Sequence, residues 1–342
     1  MKRPSGYFKN FLIIVNALLT MLSLGIVFNY FFGGTVVGFF GVLQLLTLPI
    51  LISHFILFII WVFLKSKWAM MPFCVLLVSY LTFGDFVKIG VRGSIEDGGF
   101  SIMSYNVKGF NRYRWIKTRE AGDSISKFIN SISPDIVCIQ EHERVRYKQL
   151  GQYPYRAETP YNLKRTTQAI FSKFPIVGQG SLNPPNSNNN IIFANLVMSQ
   201  DTIRVYNVHF ESFKIVPEKT NISNGRSEKV YQRMRSTITR QREQAQLLKN
   251  HISKSPYKVL VCGDFNNTQF SKVYRIILKE MEDSFQAKGK GLGPTYSLKG
   301  WPMRIDYIFT DQHFEIKAHT NYSIELSDHE PVMARLKLIS NK

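Results

Sequence analysis

Lys258-Val259-Leu260-Val261-Cys262-Gly263-Asp264-Phe265-Asn266-Asn267 is the stretch around which the chain is organised. Lys258 to Cys262 is a short, β-branched apolar run closed by a glycine, which reads as a buried strand opening into a loop. Asp264 and Asn266 lie two apart, so an extended backbone points both side chains the same way. A carboxylate beside an amide suits a hard cation, an attacking water and a phosphoryl oxygen, because one supplies charge and the other a fixed dipole. Taken alone, the same residues would also make an Asx-rich turn that merely ends a strand. The other strand ends decide between the two.

Phe100 to Asn106 alternates apolar and polar residues, ends in Asn106 and gives way to a loop at Gly109. Thr118 to Ile132 has helical apolar spacing and is stopped by Ser133-Pro134. Asp135-Ile-Val-Cys-Ile-Gln-Glu141 is a second core strand whose last residue is a carboxylate, at a place where scaffolds usually mount sites. A strand over Gln168 to Ser172 follows, then a hairpin of Ile191 to Met198 and Thr202 to His209, which sets His209 at a strand end. Glu211 to Ser236 is a long basic connection, either a solvated insertion or a lid over an anionic substrate. Amphipathic helices are expected over Thr237 to Ile252 and Ser271 to Met281. Met303 to Phe309 reads as a strand with an inward-looking Asp306, and Phe314 to Ile324 as another. Ser327-Asp328-His329 precedes a last strand, Val332 to Leu338.

The first quarter is different in kind. Phe11 to Phe32 is an uncharged apolar run of 22 residues behind Lys2, Arg3 and Lys9, too long for a signal-peptide core and followed by no small-residue cleavage site. Thr35 to Leu64 runs for 30 residues and is interrupted by Pro49 and His54. A span needs about 20 residues, so this second run is too long for one straight helix and too short for two. It reads as a single kinked or tilted helix. A weaker third run covers Trp68 to Val87 and carries Asp85. The expected organisation is a membrane anchor over 1–92 with spans at 11–32, 35–64 and 68–87, a linker over 93–99 and a soluble domain over 100–342. Basic residues before the first span and at Lys65 and Lys67 put those segments in the cytoplasm by the positive-inside rule, which sends the soluble domain to the other side. An unpaired His54 among helices reads as structural.

Seven of the 43 basic residues and one of the 24 acidic ones precede residue 93, which leaves the remainder at net +13 out of the chain's +19. That surplus favours an anionic partner such as nucleic acid, phosphate or acidic headgroups. Of the three cysteines, Cys138 and Cys262 fall in expected core strands, and no pair is spaced like a metal knuckle or redox motif.

The strand-end polar residues are Asn106, Glu141, His209, Asp264, Asn266, Asp306, Asp328 and His329. They come from many short strands with interspersed helices, a pattern of two packed sheets covered by helices on their outer faces. Six blocks in order, Ser104-Tyr-Asn106, Ile139-Gln-Glu141, Asn207-Val-His209, Gly263-Asp-Phe-Asn266, Arg304-Ile-Asp306-Tyr-Ile and Leu326-Ser-Asp-His329, resemble the endonuclease/exonuclease/phosphatase superfamily. That superfamily includes DNase I, AP endonucleases, neutral sphingomyelinases and inositol polyphosphate 5-phosphatases. The resemblance covers residues 98 to 340 and implies a DNase I-like α/β fold, a two-sheet β-sandwich flanked by helices.

Carried over residue by residue, it implies that Glu141 binds a divalent metal, usually Mg²⁺ with Mn²⁺ as substitute, with Asn106 nearby and Asp328 as a further contact. His329, held by Asp306, would be general base or charged phosphate partner. Asp264 would orient or deprotonate the attacking water, Asn266 would contact the phosphate, and His209 would stabilise phosphoryl oxygens or assist the leaving group. The implied activity is metal-dependent hydrolysis of phosphoric esters. Three readings of its use stand side by side: a nuclease, favoured by the basic domain; a phosphodiesterase or phosphatase acting on lipids or headgroups, favoured by the anchor; and a phosphate-binding module without turnover. The block at Gln168 to Lys173 lacks the glycine that often precedes it in the family, and no aromatic wedge argues for extruding a DNA base.

Overall fold

The computed structural model of the chain describes residues 6–33, 38–84, 86–88, 99–112, 114, 120–198, 200–214, 226–298 and 300–339. Helix α1 (Gly6–Phe31) and a continuous helical segment over Gly38–Phe63 are long and apolar enough to cross a membrane. That segment consists of α2 (Gly38–Leu43), a 3-10 turn over Gln44–Leu46 and α3 (Thr47–Phe63). Pro49 lies in the first turn of α3, where its missing N–H leaves no helical bond unmade. The third expected span is shorter. A 3-10 turn over Lys67–Ala69 leads into α4 (Met70–Phe83), whose 14 residues end at Gly84 with φ of +74°. At about 1.5 Å per residue α4 rises about 21 Å, against a hydrocarbon thickness of about 30 Å. Two helices of spanning length thus replace the expected three. Asp85 and most of the expected linker lie outside the described residues. His54 takes the bland role: its Nε2 meets Ser23 Oγ at 3.0 Å between α3 and α1.

The rest of the chain forms β1 (Phe100–Asn106), α5 (Ala121–Ile132), β2 (Ile136–Gln140), β3 (Tyr155–Glu158), β4 (Ala169–Ser172), β5 (Ile176–Ser181), β6 (Ile191–Met198), β7 (Asp201–His209) and α6 (Arg226–Ile252). Then follow β8 (Lys258–Asp264), α7 (Lys272–Leu278), β9 (Glu282–Asp283), α8 (Ser284–Lys288), β10 (Tyr296–Leu298), β11 (Trp301–Met303), β12 (Asp306–Thr310), β13 (Phe314–Asn321) and β14 (Val332–Leu338). One sheet has the order β13-β14-β1-β2-β4-β3 and the other β5-β6-β7-β8-β12-β9, while β10 and β11 make a separate hairpin. Each six-stranded sheet contains one parallel pair, β1 with β2 and β7 with β8, among antiparallel neighbours. The mixed sheets pack face to face through Ile102, Ile136, Ile170, Val205, Leu260 and Ile308, all fully buried. Helices α6 and α7 cover the outer face of one sheet, around Tyr206, Val261 and Phe309, and α5 covers the other, around Met103 and Val137. This is the two-sheet sandwich flanked by helices that the blocks implied.

Three local differences follow from physics that a linear reading underweights. Residues 226–236, expected as connection, are the first turns of α6. Charged side chains spaced along a polar helix face need no apolar stripe to be helical once the later turns are packed. Strand β12 starts at Asp306 and not at Met303, because Arg304 leaves the sheet to bury its guanidinium against Asp283. Gly263 has φ of +141°, and a Cβ there would collide with the Val208 backbone of the neighbouring strand, so the glycine within the opening stretch is demanded by the close approach of β7.

His319 on β13 accompanies this buried cluster, its Nδ1 at 2.8 Å from Ser284 Oγ. Burial pushes it down from 6.5 to about 4, although Asp283 pulls the other way. A lowered histidine favours the neutral folded form, so its contribution to stability is complete above pH 6.5 and is lost as pH falls towards 4. The loss is about 1.4 kcal/mol per pH unit. Denaturant unfolding at steps between pH 6.5 and 4 should therefore show a shallower acid dependence in His319→Gln than in the wild-type chain, and identical slopes would remove His319 as the cause.

Candidate active site

The site lies where the two parallel pairs end. Asn106 closes β1 and Asp264 closes β8, and Asn106 Nδ2 donates to Asp264 Oδ2 across the sandwich at 3.1 Å. His209 closes β7 directly opposite Asp264 in the register, and Asp306, the first residue of antiparallel β12, stands opposite Asp264 on its other side. Because β14 runs antiparallel to β1, the loop before it delivers Asp328 and His329 to the same rim. Glu141 follows β2 with φ of +51°, a left-handed conformation disfavoured for a side chain with a Cβ, and its carbonyl accepts from Gly109 N at 2.9 Å.

A polar peg below the rim holds the sheets in register. Asn207 Nδ2 donates to Ile139 O and Ala169 O, each at 2.9 Å, while its Oδ1 accepts from Gln140 Nε2 at 2.7 Å. Gln168 Nε2 donates to Asn207 O at 2.9 Å. All three side chains are fully buried, so a shift of either sheet would strand several polar groups without water.

Asp264 is the centre of the site. Its Oδ1 accepts from Asn266 N at 2.7 Å, and its Oδ2 from Asn266 Nδ2 and Asn106 Nδ2, both at 3.1 Å. His209 Nε2 and His329 Nε2 each lie 3.7 Å from Oδ2. Burial pushes Asp264 up to about 7; Asp306 adds to this, while His329, Asn266 N and Asn106 oppose it. His329 Nδ1 bonds Asp306 Oδ2 at 2.9 Å. Burial works against the charged form of His329, but Asp306 and Asp264 together raise it to about 10. His209 is equally buried; burial lowers its pKa, the neighbouring His329 adds to this, and the carboxylates of Glu141, Asp306 and Glu211 do not offset it. At neutral pH one histidine is a cation and the other is neutral.

The donor set fits a divalent cation. Glu141 is the half-exposed carboxylate of the rim, and Asn106 Nδ2 approaches its Oε1 at 3.4 Å. As placed, Asn106 Nδ2 faces the Glu141 and Asp264 carboxylates and its Oδ1 accepts from Lys108 N at 3.1 Å, so Asn106 would offer a cation its oxygen only by turning the amide over and releasing Asp264. Oxygen donors of this kind suit Mg²⁺. Asp264, Asp306 and His329 form a second group, wholly buried, whose candidate ligand atoms all lie within 4.8 Å of one another, and it too could hold a metal ion.

Seven of the eight expected residues converge around Asp264 as described. The carboxylate of the eighth, Asp328, is engaged by Lys108 Nζ at the edge of the site. Asn266 directs its amide N–H groups at Phe210 O, 3.0 Å away, and at Asp264, so here it orients the carboxylate. Several groups escaped the sequence reading. Ser327 Oγ ties the last loop to Asn106 O at 2.8 Å, and the Tyr296 ring lies against the His329 ring with centroids 4.9 Å apart. A cavity of about 730 Å³ opens above Glu141, His209, Asp264 and His329, and one of its walls comes from α2 and the turn after it. The signal for that wall was the surplus length of the second apolar run.

No curated protein matches the chain. Solved structures do: the endonuclease/exonuclease/phosphatase from Bacteroides vulgatus is similar at 18% identity, over 71% of this chain and 100% of that one, with a TM-score of 0.53. The catalytic domain of human nocturnin with bound sulfate is similar at 16% identity over 70% and 94%, and D. rerio TDP2 complexed with a single-strand DNA product at 16% over 70% and 100%, both with TM-scores of 0.53. At these identities the likeness is one of fold. The sequence itself carries the assignment: residues 103–329 match the model of the endonuclease/exonuclease/phosphatase family, and the chain belongs to that family.

Proposed function

We propose that the protein is a membrane-anchored, Mg²⁺-dependent phosphoric ester hydrolase, with Mn²⁺ as a substitute ion. Residues 1–92 are its anchor, 93–99 its linker and 100–342 its catalytic domain. Members of the family are phosphoesterase hydrolases, generally dependent on a divalent metal. The observation that carries the reading is the convergence of Glu141, Asn106, His209, Asp264 and the Asp306–His329 pair on one rim.

Glu141, with Asn106 beside it, would hold the cation, whose chemistry there would be charge neutralisation at the phosphoryl oxygens. Asp264, with its pKa near neutrality, takes a proton from the attacking water as the oxygen–phosphorus bond forms; a base matched to ambient pH is the efficient choice. His329, kept cationic by Asp306, faces the phosphoryl group as a charge and not as a base. Neutral His209 offers a ring N–H to a phosphoryl oxygen or the departing alkoxide. Asn266 holds both Asp264 oxygens in place through its N and Nδ2, and Asp328 steadies Lys108 beside them.

The way the helices meet the domain supports one orientation. Arg242 binds Gly33 O, Lys272 and Arg275 bind Phe31 O, and Phe83 stacks edge-on to Phe270, so the carboxyl ends of α1 and α4 face the catalytic domain. Lys9, Lys65 and Lys67 belong to the opposite helix ends. That asymmetry supports a cytoplasmic amino terminus, with α4 crossing despite its length and the catalytic domain on the other side.

Hydrolysis of bis(4-nitrophenyl) phosphate by the full chain should rise through about pH 7 as Asp264 ionises and fall near pH 10 as His329 loses its proton. Asp306→Asn, which removes the charge that raises His329, should draw the alkaline limb to lower pH; an unmoved limb would sink the assignment. Asp264→Ala and EDTA should each abolish turnover. A reporter fused to the carboxyl terminus should be active only when it reads the non-cytoplasmic side, and a cytoplasmic signal would mean that α4 does not cross.

A further inference from the structure

We infer that the substrate is an amphiphile, a phosphate ester whose apolar body lies between α2 and the β10–β11 hairpin while its phosphate reaches Asp264 and His329. The inference rests on the hydrolase reading and adds its substrate class.

The cavity of about 730 Å³ is two-sided in chemistry. Its floor is the ionisable rim; its walls are apolar, with Phe39, Val42 and Leu46 on one side and Leu298, Trp301 and Met303 on the other. Phe39 and Leu46 stay 54% and 52% exposed while lining it, an apolar surface beside the ionisable floor that fits a substrate with an apolar part. The wall is held in place. Gln44, buried in the 3-10 turn, accepts from Asn29 Nδ2 at 3.1 Å and donates to Asn267 Oδ1 at 3.4 Å, which fixes α2 against the catalytic domain.

The same helical segment continues as α3, whose outward face shows Ile52, Phe55, Ile56 and Ile59. Apolar surface therefore leads along one helix from the lipid-facing side to the catalytic floor. A chain anchored in a bilayer could move from one to the other without its apolar part crossing water. A polynucleotide asks for something else, a groove of cations that tracks its backbone and rings that stack its bases. The lysines that line the cavity, Lys108 and Lys214, face Asp328 and Glu211. Other positive charge, on Arg242, Lys272 and Arg275, gathers at the carboxyl end of α1, where headgroups would lie.

The test uses the full chain in detergent with Mg²⁺ and two 4-nitrophenyl phosphodiesters that differ only in their alkyl group, ethyl or dodecyl, with supercoiled plasmid as a third substrate. The dodecyl ester should be cleaved with a kcat/KM on the order of 100-fold above the ethyl ester, as partial burial of its extra methylenes predicts. Leu46→Asp on one wall and Trp301→Asp on the other should each cut that ratio by about tenfold, and a ratio taken within one variant is insensitive to any loss of folded protein. Equal kcat/KM for the two esters would overturn the amphiphile and leave the hydrolase standing. Plasmid nicking more efficient than dodecyl ester cleavage would overturn it in favour of nucleic acid. Failure of the folded chain to cleave any of the three would overturn the hydrolase reading, and the inference with it.

Discussion

The Asp264 carboxylate is withdrawn almost completely from water, and much of the domain can be understood as what that requires. Burying an unpaired carboxylate costs several kcal/mol unless donors replace the lost water. The donors come from separate parts of the chain, Asn106 from the end of β1 and Asn266 from the loop after β8, while the imidazoles of His209 and His329, from β7 and the loop before β14, approach to 3.7 Å. Each arrives only if its strand is in register, and Asn207, Gln140 and Gln168 set the register of one sheet against the other. Stability and chemistry here place the same demand on the backbone.

The two histidines show how environment divides labour between like groups. Both are buried and both approach Asp264 at 3.7 Å. Only His329 has a second carboxylate in direct hydrogen-bond contact, and that contact reverses the effect of burial. His209 has its acids at longer range and stays neutral-favouring. The pairing of Asp306 with His329 is therefore what separates a charge carrier from a neutral donor within one small site.

Much of the candidate site was legible in the sequence because its residues close apolar runs, and a buried strand that stops at a polar residue declares both the strand and the rim. Asn106, Glu141, His209 and Asp264 were found in this way, and Asp306 was found even though its strand begins later than its apolar pattern suggested. Strands β3 and β5 escaped, one because Tyr155 and Arg156 are exposed, the other because its glycines dilute the pattern. The vestibule was illegible for a different reason. It forms where residues near 40 dock against residues near 300, and no local periodicity encodes a contact of that range. Only the excess length of the second apolar run marked the place, since residues 38–46 are what a single span does not use.

Those residues also bear on what sort of anchor the proposed reading implies. Asn29, Gln44, Asn267 and Gln241 form a chain of side-chain amides, and Gln241 then donates to Asn266 O beside Asp264. A flexible leash would leave the site wandering through a range of heights, with an effective concentration set by the statistics of the leash. Bonded amide to amide from α1 to the loop after β8, the domain is instead held at a fixed distance from the ends of its apolar helices. If the proposed anchoring holds, the helices would act as a depth gauge, and the molecules within reach would be those whose phosphates lie in a single thin layer.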